Sequence, residues 1–150
     1  MIEELKNQKG TIEKALKLAH ETNDGINSFV TIIDNPKISE IQDLPLANIP
    51  YAAKDLFSTA GILTTGSSNI LKDYVPFYDA TVIKRLNEAG AVLIGKTVCD
   101  EFGLGGTGTT GHTGVVRNPW NPEFVAGGSS SGSATSVALG IVPFALGTDT

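Results

Sequence analysis

The chain has 150 residues, of which 41% are hydrophobic and 18% are charged, and its formal net charge is −5. This composition is typical of a globular protein with an apolar core, and the acidic balance argues against direct binding of a nucleic-acid backbone by this chain. The longest apolar runs, Ala91–Ile94 and Ile141–Leu146, are much shorter than the roughly 20 residues of a membrane-spanning helix, so no membrane partner is expected.

The first residues and the cysteine content predict the cellular compartment. The chain begins Met-Ile-Glu-Glu-Leu-Lys, without the apolar core of a secretion signal. Its single cysteine, Cys99, excludes an internal disulfide framework and fits a reducing environment. We therefore expect a cytoplasmic protein, or one of an equivalent organellar matrix.

The first half of the chain predicts a helix followed by strands. The helix begins after Thr11, a capping residue, and ends at Asn23-Asp24-Gly25. The segment Phe29–Ile33 suits either a short strand or a continuation of the helix. After a polar, proline-containing connection, Tyr51-Ala52-Ala53 predicts a short buried strand that is followed directly by Lys54.

The second half alternates helices with strands. The predicted elements are a helix capped by Asp79 or Thr81 and stopped by Gly90, a strand at Ala91–Ile94, a helix begun by Ser131 or Ser133 and stopped by Gly140, and a strand at Ile141–Gly147. Such alternation predicts an α/β fold, layered α/β/α around a mixed, largely parallel sheet.

Two features of the chain suggest acyl-transfer chemistry. The run Gly127-Gly128-Ser129-Ser130-Ser131-Gly132-Ser133-Ala134 opens into apolar chain, so its glycines are expected to allow close backbone approach and its serines to be fixed in place. Lys54 follows a buried strand, and a lysine removed from water loses its charge more readily. Serines near such a lysine can act as activated nucleophiles. Two plainer alternatives stay open: a helix cap with a tight turn for the serines, and a surface lysine paired with Asp55.

The other motifs in the sequence give weaker indications of function. Gly90–Thr97 formally matches a phosphate-binding loop, but a helix precedes it and its interior is the predicted strand, so we reject nucleotide binding there. The two histidines, His20 and His112, are too isolated for a serine–histidine pair or a metal site, and no metal is expected. Gly105-Gly106-Thr107 suits either backbone binding of a small substrate or a tight turn.

Three pieces in this order resemble the amidase signature family. They are Pro50–Asp55, then Gly95-Lys96-Thr97 with Asp100-Glu101-Phe102, then Gly127–Ala134 running into Leu146–Thr150, and the likeness covers roughly Ile49 to Thr150. The resemblance implies a serine–serine–lysine triad, with Lys54 as the base and Ser129 as the bridging serine, which in the family follows a cis peptide bond. It also implies that Thr150 supplies the first of several backbone amides that bind the oxyanion.

The resemblance bears on the extent of the domain as well. In the family the nucleophilic serine lies in a Gly-Gly-Ser that follows Gly147-Thr148-Asp149-Thr150, and that segment is absent here. The last predicted strand runs directly into these residues, whereas chain termini usually lie in exposed polar segments. We therefore expect residues 1–150 to be the N-terminal part of a single amidase domain whose remainder is missing, and to be inactive alone.

Within the family, the likeness is greatest to the glutaminase subunits of tRNA-dependent amidotransferases. The pointers are Asp79-Ala80-Thr81-Val82, Asp100-Glu101-Phe102-Gly103 and Arg117-Asn118-Pro119-Trp120. This likeness implies glutamine as the ammonia donor, partner subunits in a heterotrimer, ATP and Mg²⁺ at a partner subunit rather than on this chain, and contact with Glu-tRNA(Gln) through a partner. Two alternatives remain: a standalone amidase that hydrolyses its own carboxamide, and a non-enzymatic α/β interaction module.

Overall fold

The computed structural model describes residues 12–149. In that range the chain forms three α-helices, six strands and two short 3₁₀ turns. In chain order they are α1 (Ile12–Ile26), β1 (Phe29–Ile32), β2 (Pro50–Lys54), a turn at Asn69–Leu71, α2 (Thr81–Glu88), β3 (Val92–Thr97), a turn at Glu101–Gly103, β4 (Arg117–Asn118), β5 (Asn121–Val125), α3 (Ser131–Ala138) and β6 (Phe144–Leu146). None of the helices described is long and apolar enough to cross a membrane.

Four of the described strands form a mixed sheet in the order β1-β3-β2-β6. Strand β1 runs antiparallel to β3, whereas β2 pairs in parallel with both β3 and β6. The last residue of β2, Lys54, lies opposite Thr97 at the end of β3, and Ala53 lies opposite Leu146 at the end of β6. The carboxyl ends of the three parallel strands therefore meet at one edge of the sheet.

Helices cover both faces of this sheet. Along β2 and β3 the side chains alternate between two cores, since Ala52 and Val92 pack with α1 residues while Tyr51 and Leu93 pack with Ile83 of α2. Both faces of the strands are apolar because both are buried. The predicted α/β fold with a mixed, largely parallel sheet is confirmed.

The ends of the first two helices differ from the prediction. Helix α1 continues through Gly25 to Ile26 and ends where Asn27 adopts a left-handed φ of 65°. In α2, Ala80 occupies the cap position, without a side-chain cap bond, because the Asp79 carboxylate instead accepts a hydrogen bond from the Ala60 amide at 2.7 Å. Neither predicted cap of α2 is correct, and Thr11, the predicted cap of α1, lies outside the described residues.

The third helix begins at Ser131, one of the two predicted residues, and Gly140 follows its end with a left-handed φ of 68°. Strand β6 has three residues instead of the predicted seven-residue span, because the amides of Ile141 and Val142 bond back to the Ser136 carbonyl. The exposed β4–β5 hairpin was not predicted.

Candidate active site

Lys54 lies at the carboxyl edge of the sheet and its side chain is fully buried. Its Nζ donates to Ser129 Oγ at 2.7 Å, to Ser130 Oγ at 3.0 Å and to Thr148 Oγ1 at 2.7 Å. Burial lowers the pKa of Lys54 from its ordinary value, and the nearby Cys99, Asp100 and Asp149 oppose that change. The alternative of a solvated surface lysine is therefore wrong.

The glycine–serine run reaches Lys54 at the start of α3. The Gly128–Ser129 peptide bond is cis, as the resemblance implies. The next residue, Ser130, stands at the helix cap position but makes no side-chain cap bond. Its Oγ instead accepts from the Thr148 amide and donates to the Thr148 carbonyl, both at 3.1 Å. Ser129, Ser130 and Thr148 thus surround the Lys54 amine with hydroxyl groups, and these four residues are named here the lysine–serine cluster.

The two following serines have structural contacts. The buried Ser131 Oγ donates to the Val98 carbonyl at 3.4 Å, and Ser133 Oγ donates to the Leu146 carbonyl at 2.8 Å. Between them, Gly132 packs against backbone: a Cβ there would collide with the Ser28 carbonyl and lie 2.6 Å from the Val98 amide. The start of α3 therefore fits directly against the end of β3, and this contact brings Ser129 to Lys54.

A second buried lysine, Lys96, lies on the neighbouring strand β3, opposite Ala53 of β2. Lys96 of β3 donates to the Phe57 carbonyl at 2.8 Å and to Thr64 Oγ1 at 2.7 Å, and its Nζ lies 3.6 Å from Asp55 Oδ1. Asp55 therefore pairs with Lys96 rather than with Lys54. Burial lowers the pKa of Lys96 to about 8, against the opposing effect of Asp55. The phosphate-loop pattern at 90–97 is a helix stop followed by β3 with this buried lysine, which agrees with its rejection.

The other carboxylate oxygen of Asp55 holds the loop that follows β2. Asp55 Oδ2 accepts hydrogen bonds from the Thr65 amide, the Thr65 hydroxyl and the Ser67 amide. Ser67 Oγ in turn accepts from the Cys99 amide at 2.9 Å. The buried ion pair thereby links β2, β3 and this loop.

The remaining predicted site residues stand as follows. Gly105, Gly106 and Thr107 form an exposed segment beside the glycine–serine run, since a Cβ on Gly128 would lie 3.1 Å from the Thr107 amide. Their role in substrate binding stays a prediction. Thr150 lies outside the described residues, so its oxyanion role also stays a prediction. Among residues 12–149, no group of three or more His, Cys, Asp or Glu side chains could hold a metal ion.

Sequence reasoning missed two members of the lysine–serine cluster, Ser130 and Thr148. It also missed the contacts of two buried acids, Asp55 as the partner of Lys96 and Asp100. The signal for the two acids was present, because Asp55 directly follows β2 and Asp100 closely follows β3. The contacts of Thr148 had no comparable signal, since it is 94 positions from Lys54 along the chain.

Comparison with known proteins agrees with this geometry. The amidase family model matches residues 10–150. A glutamyl-tRNA(Gln) amidotransferase subunit of Mycoplasma pneumoniae is 58% identical over 106 residues, which are 71% of this chain and 22% of that protein. The protein of the same name from Oenococcus oeni is 44% identical over 147 residues, covering 92% of this chain and 30% of the relative.

Solved structures show the same likeness. The glutamyl-tRNA(Gln) amidotransferase subunit of the same name from Thermotoga maritima has a TM-score of 0.84 at 39% identity, over 98% of this chain and 33% of that one. A 6-aminohexanoate cyclic dimer hydrolase has a TM-score of 0.79 at 30% identity, over 89% of this chain and 29% of that one. The 150 residues thus span about a third or less of the relatives that they match. On the family match and these identities together, the chain belongs to the amidase family.

Proposed function

We propose that this chain carries the lysine and the bridging serine of a glutaminase active site, in the amidase component of a glutamyl-tRNA(Gln) amidotransferase. The observation that carries the proposal is the 2.7 Å contact between Lys54 Nζ, which is fully buried, and Ser129 Oγ. A general base must lie within hydrogen-bond reach of the proton that it accepts and must be unprotonated at working pH, which for a lysine means the neutral amine. The lowered pKa of Lys54 supports the second requirement.

The proposed reaction begins with a proton relay. In its neutral form Lys54 has a lone pair on Nζ, so the contact with Ser129 can reverse and the hydroxyl donates to the amine. Lys54 then accepts the Ser129 hydroxyl proton while Ser129 accepts one from a nucleophilic serine, which in the family follows Thr150. That serine attacks the carboxamide carbon of glutamine, and backbone amides at and beyond Thr150 stabilise the oxyanion. The relay then returns a proton to the leaving nitrogen, ammonia departs, and water hydrolyses the acyl-enzyme.

The proposed substrate follows the relatives that are named for this amidotransferase. Ammonia released at this site would pass to a partner subunit of a heterotrimer, where ATP and Mg²⁺ would activate Glu-tRNA(Gln). The formal charge of −5 favours tRNA contact through a partner rather than through these residues. The cytoplasmic location stays a prediction.

The test is glutamine hydrolysis by a chain of the relatives' full length that carries these 150 residues. Lys54→Ala and Ser129→Ala should each lower kcat by about 10²–10⁴-fold, the range for a positioned acid–base group. The matched control is Lys72→Ala, an exposed lysine, whose substitution should leave kcat within about twofold. Near-native turnover in either site variant would refute the assignment of the base or of the bridging serine.

A second measurement separates the tRNA-dependent enzyme from a standalone amidase. The proposed enzyme should co-purify with untagged partner subunits and convert Glu-tRNA(Gln) to Gln-tRNA(Gln) when glutamine, ATP and Mg²⁺ are present. Hydrolysis of another carboxamide with high kcat/KM, no co-purifying partner and no transamidation would instead identify a standalone amidase.

A further inference from the structure

Asp100 is a fully buried acid that follows β3 and has no part in the relay described above. Its Oδ2 accepts the Gly108 amide at 3.0 Å. Its Oδ1 accepts the Thr109 amide at 3.0 Å, the Thr110 amide at 3.2 Å and the Thr110 hydroxyl at 3.0 Å. One carboxylate thus fixes the turn that closes the Gly105–Thr110 segment, named here the glycine–threonine loop.

The backbone of the same residue contacts the lysine–serine cluster. The Asp100 amide donates to the Ser129 carbonyl at 3.1 Å, and its carbonyl accepts from the Gly103 amide at 2.7 Å. Gly103 lies beside the relay, since a Cβ there would be 3.9 Å from Lys54 Nζ. Asp100 is therefore bonded to the bridging serine through its main chain and to the glycine–threonine loop through its side chain.

The packing around the Asp100 carboxylate leaves no room for the glycine–threonine loop and the glycine–serine run to move independently of each other. A Cβ on Gly105 would lie 2.6 Å from Asp100 Cγ. A Cβ on Gly128 would collide with Asp100 Oδ2 and would lie 2.9 Å from the Gly108 amide. The carboxylate therefore lies directly between the loop and the Gly128–Ser129 peptide unit.

We propose that Asp100 is a positioning residue, which fixes the Ser129 hydroxyl and the glycine–threonine loop relative to each other so that the loop presents backbone amides to the carboxamide substrate. The inference rests on the proposed function, because it assigns the loop to the same reaction. The loop is exposed on its outer side at Gly105, Gly106 and Thr107, so a small ligand can reach it. Misplacement of reacting groups by about 1 Å can lower a rate by roughly 10²-fold. Asp100 can therefore affect kcat without any contact with the substrate.

The charge of Asp100 supplies a readout that a purely structural residue would lack. Burial raises the pKa of Asp100, but its hydrogen bonds from Gly108, Thr109 and Thr110 outweigh burial, and the net pKa lies below the ordinary value. The acid is therefore ionised at neutral pH. Burial lowers the pKa of Lys54, whereas Cys99, Asp100 and Asp149 act to raise it. Removing the Asp100 charge should lower the pKa of Lys54 further.

The experiment compares Asp100→Asn with Asp73→Asn, a control that removes the same charge from an exposed position. In a chain of the relatives' full length that carries these 150 residues, Asp100→Asn should lower glutaminase kcat by about 10–100-fold, and the rise of the rate with pH should occur at lower pH. In the 150-residue chain, hydrogen exchange of the Gly108, Thr109 and Thr110 amides should accelerate, while that of β3 (Val92–Thr97) stays unchanged. Thr110→Val removes one donor to Asp100 and should give a smaller loss of kcat.

The outcomes separate the alternatives. Wild-type kcat and an unmoved pH profile in Asp100→Asn would overturn the inference. A lower kcat with an unmoved pH profile and faster exchange throughout β3 would also overturn it, since Asp100 would then be a stability residue; Thr110→Val guards against a variant that fails to fold. An inactive wild-type protein whose loop exchange still depends on Asp100 would overturn the proposed function and support the loop-holding part of the inference.

Discussion

Replacing Lys96 by methionine should destabilise the chain, although Lys96 takes no part in the proposed relay. Lys96 and Asp55 are both fully buried and lie 3.6 Å apart. Methionine removes the cation and leaves Asp55 without its charge partner, while the Phe57 carbonyl loses a donor. Breaking a buried pair from one side typically costs about 3–5 kcal/mol. We expect Lys96→Met to lower the free energy of unfolding at pH 7 by less than that amount, because methionine also removes the cost of burying the ammonium, which lowers the pKa of Lys96 to about 8.

The pH dependence measures the opposing cost of the buried charge, because deprotonation removes the charge of Lys96 but leaves an amine that can still donate hydrogen bonds to the Phe57 carbonyl and Thr64 Oγ1. The pKa of Lys96 is lowered from 10.5 to about 8 in the folded chain. Between those values the unfolded chain holds a proton that the folded chain has lost, so the stability of the wild type should rise with pH across this window. The full rise is about 3 kcal/mol, from roughly 1.4 kcal/mol per pKa unit. Below pH 8 the cost of the buried ammonium is fully present.

Urea unfolding followed by far-UV circular dichroism measures both effects. Fluorescence is a poorer probe because Trp120 is already 79% exposed in the folded chain. The comparison should stay below pH 10, since burial raises the pKa of Tyr51 from 10.0 and its unfolded form ionises above that pH. The double variant Lys96→Met/Asp55→Asn should regain part of the loss, because it leaves no unpaired buried charge.

Two results would refute this reasoning about the ion pair. One is a Lys96→Met chain as stable as the wild type at pH 7 with an unchanged m-value. The other is a wild-type stability that falls between pH 8 and 10 in parallel with that of the variant.

Two pairs of glycine substitutions test the close contacts at the site. Gly132→Ala should lower the free energy of unfolding by about 2–3 kcal/mol through overpacking. Gly25→Ala, with nothing within 4 Å of its Cβ, should instead raise the free energy of unfolding by about 0.5–1 kcal/mol, as expected inside a helix. Equal effects of the two substitutions in urea titrations would contradict the packing described. Gly128→Ala should lower Tm because its Cβ would meet the Asp100 carboxylate, and Gly106→Ala, whose Cβ would meet nothing within 4 Å, should leave Tm nearly unchanged. Similar Tm values for these two variants by calorimetry would argue against the contact between the loop and the glycine–serine run.

The sheet and its helices were predictable because local pattern and burial agree there. Strand β2 is a short apolar run ended by Lys54, and every residue of it is buried. The left-handed stop at Gly140 likewise follows from a glycine after an apolar stretch. The β4–β5 hairpin escaped prediction because Pro119 and Pro122 argue against strands and because its exposed residues show no alternating burial.

The candidate site was predictable only in part. The roles of Lys54 and Ser129 were predicted from the end of the buried strand, the glycine–serine run and the resemblance to the family. Asp55 and Asp100 were not assigned a role, because their partners are backbone amides and a lysine contributed by other segments. Such partnerships depend on how distant loops fold over the sheet edge, and no local spacing encodes them.

The most direct test of the central claim is the pKa of the Lys54 amine, measured by ¹³C NMR of its Cε across a pH titration of the chain. A fully buried amine bonded to Ser129 Oγ at 2.7 Å should titrate below its ordinary value of 10.5. A Lys54 pKa at or above 10.5 in the folded chain would contradict the account, because the amine would then be a cation at working pH and unsuited to act as the base.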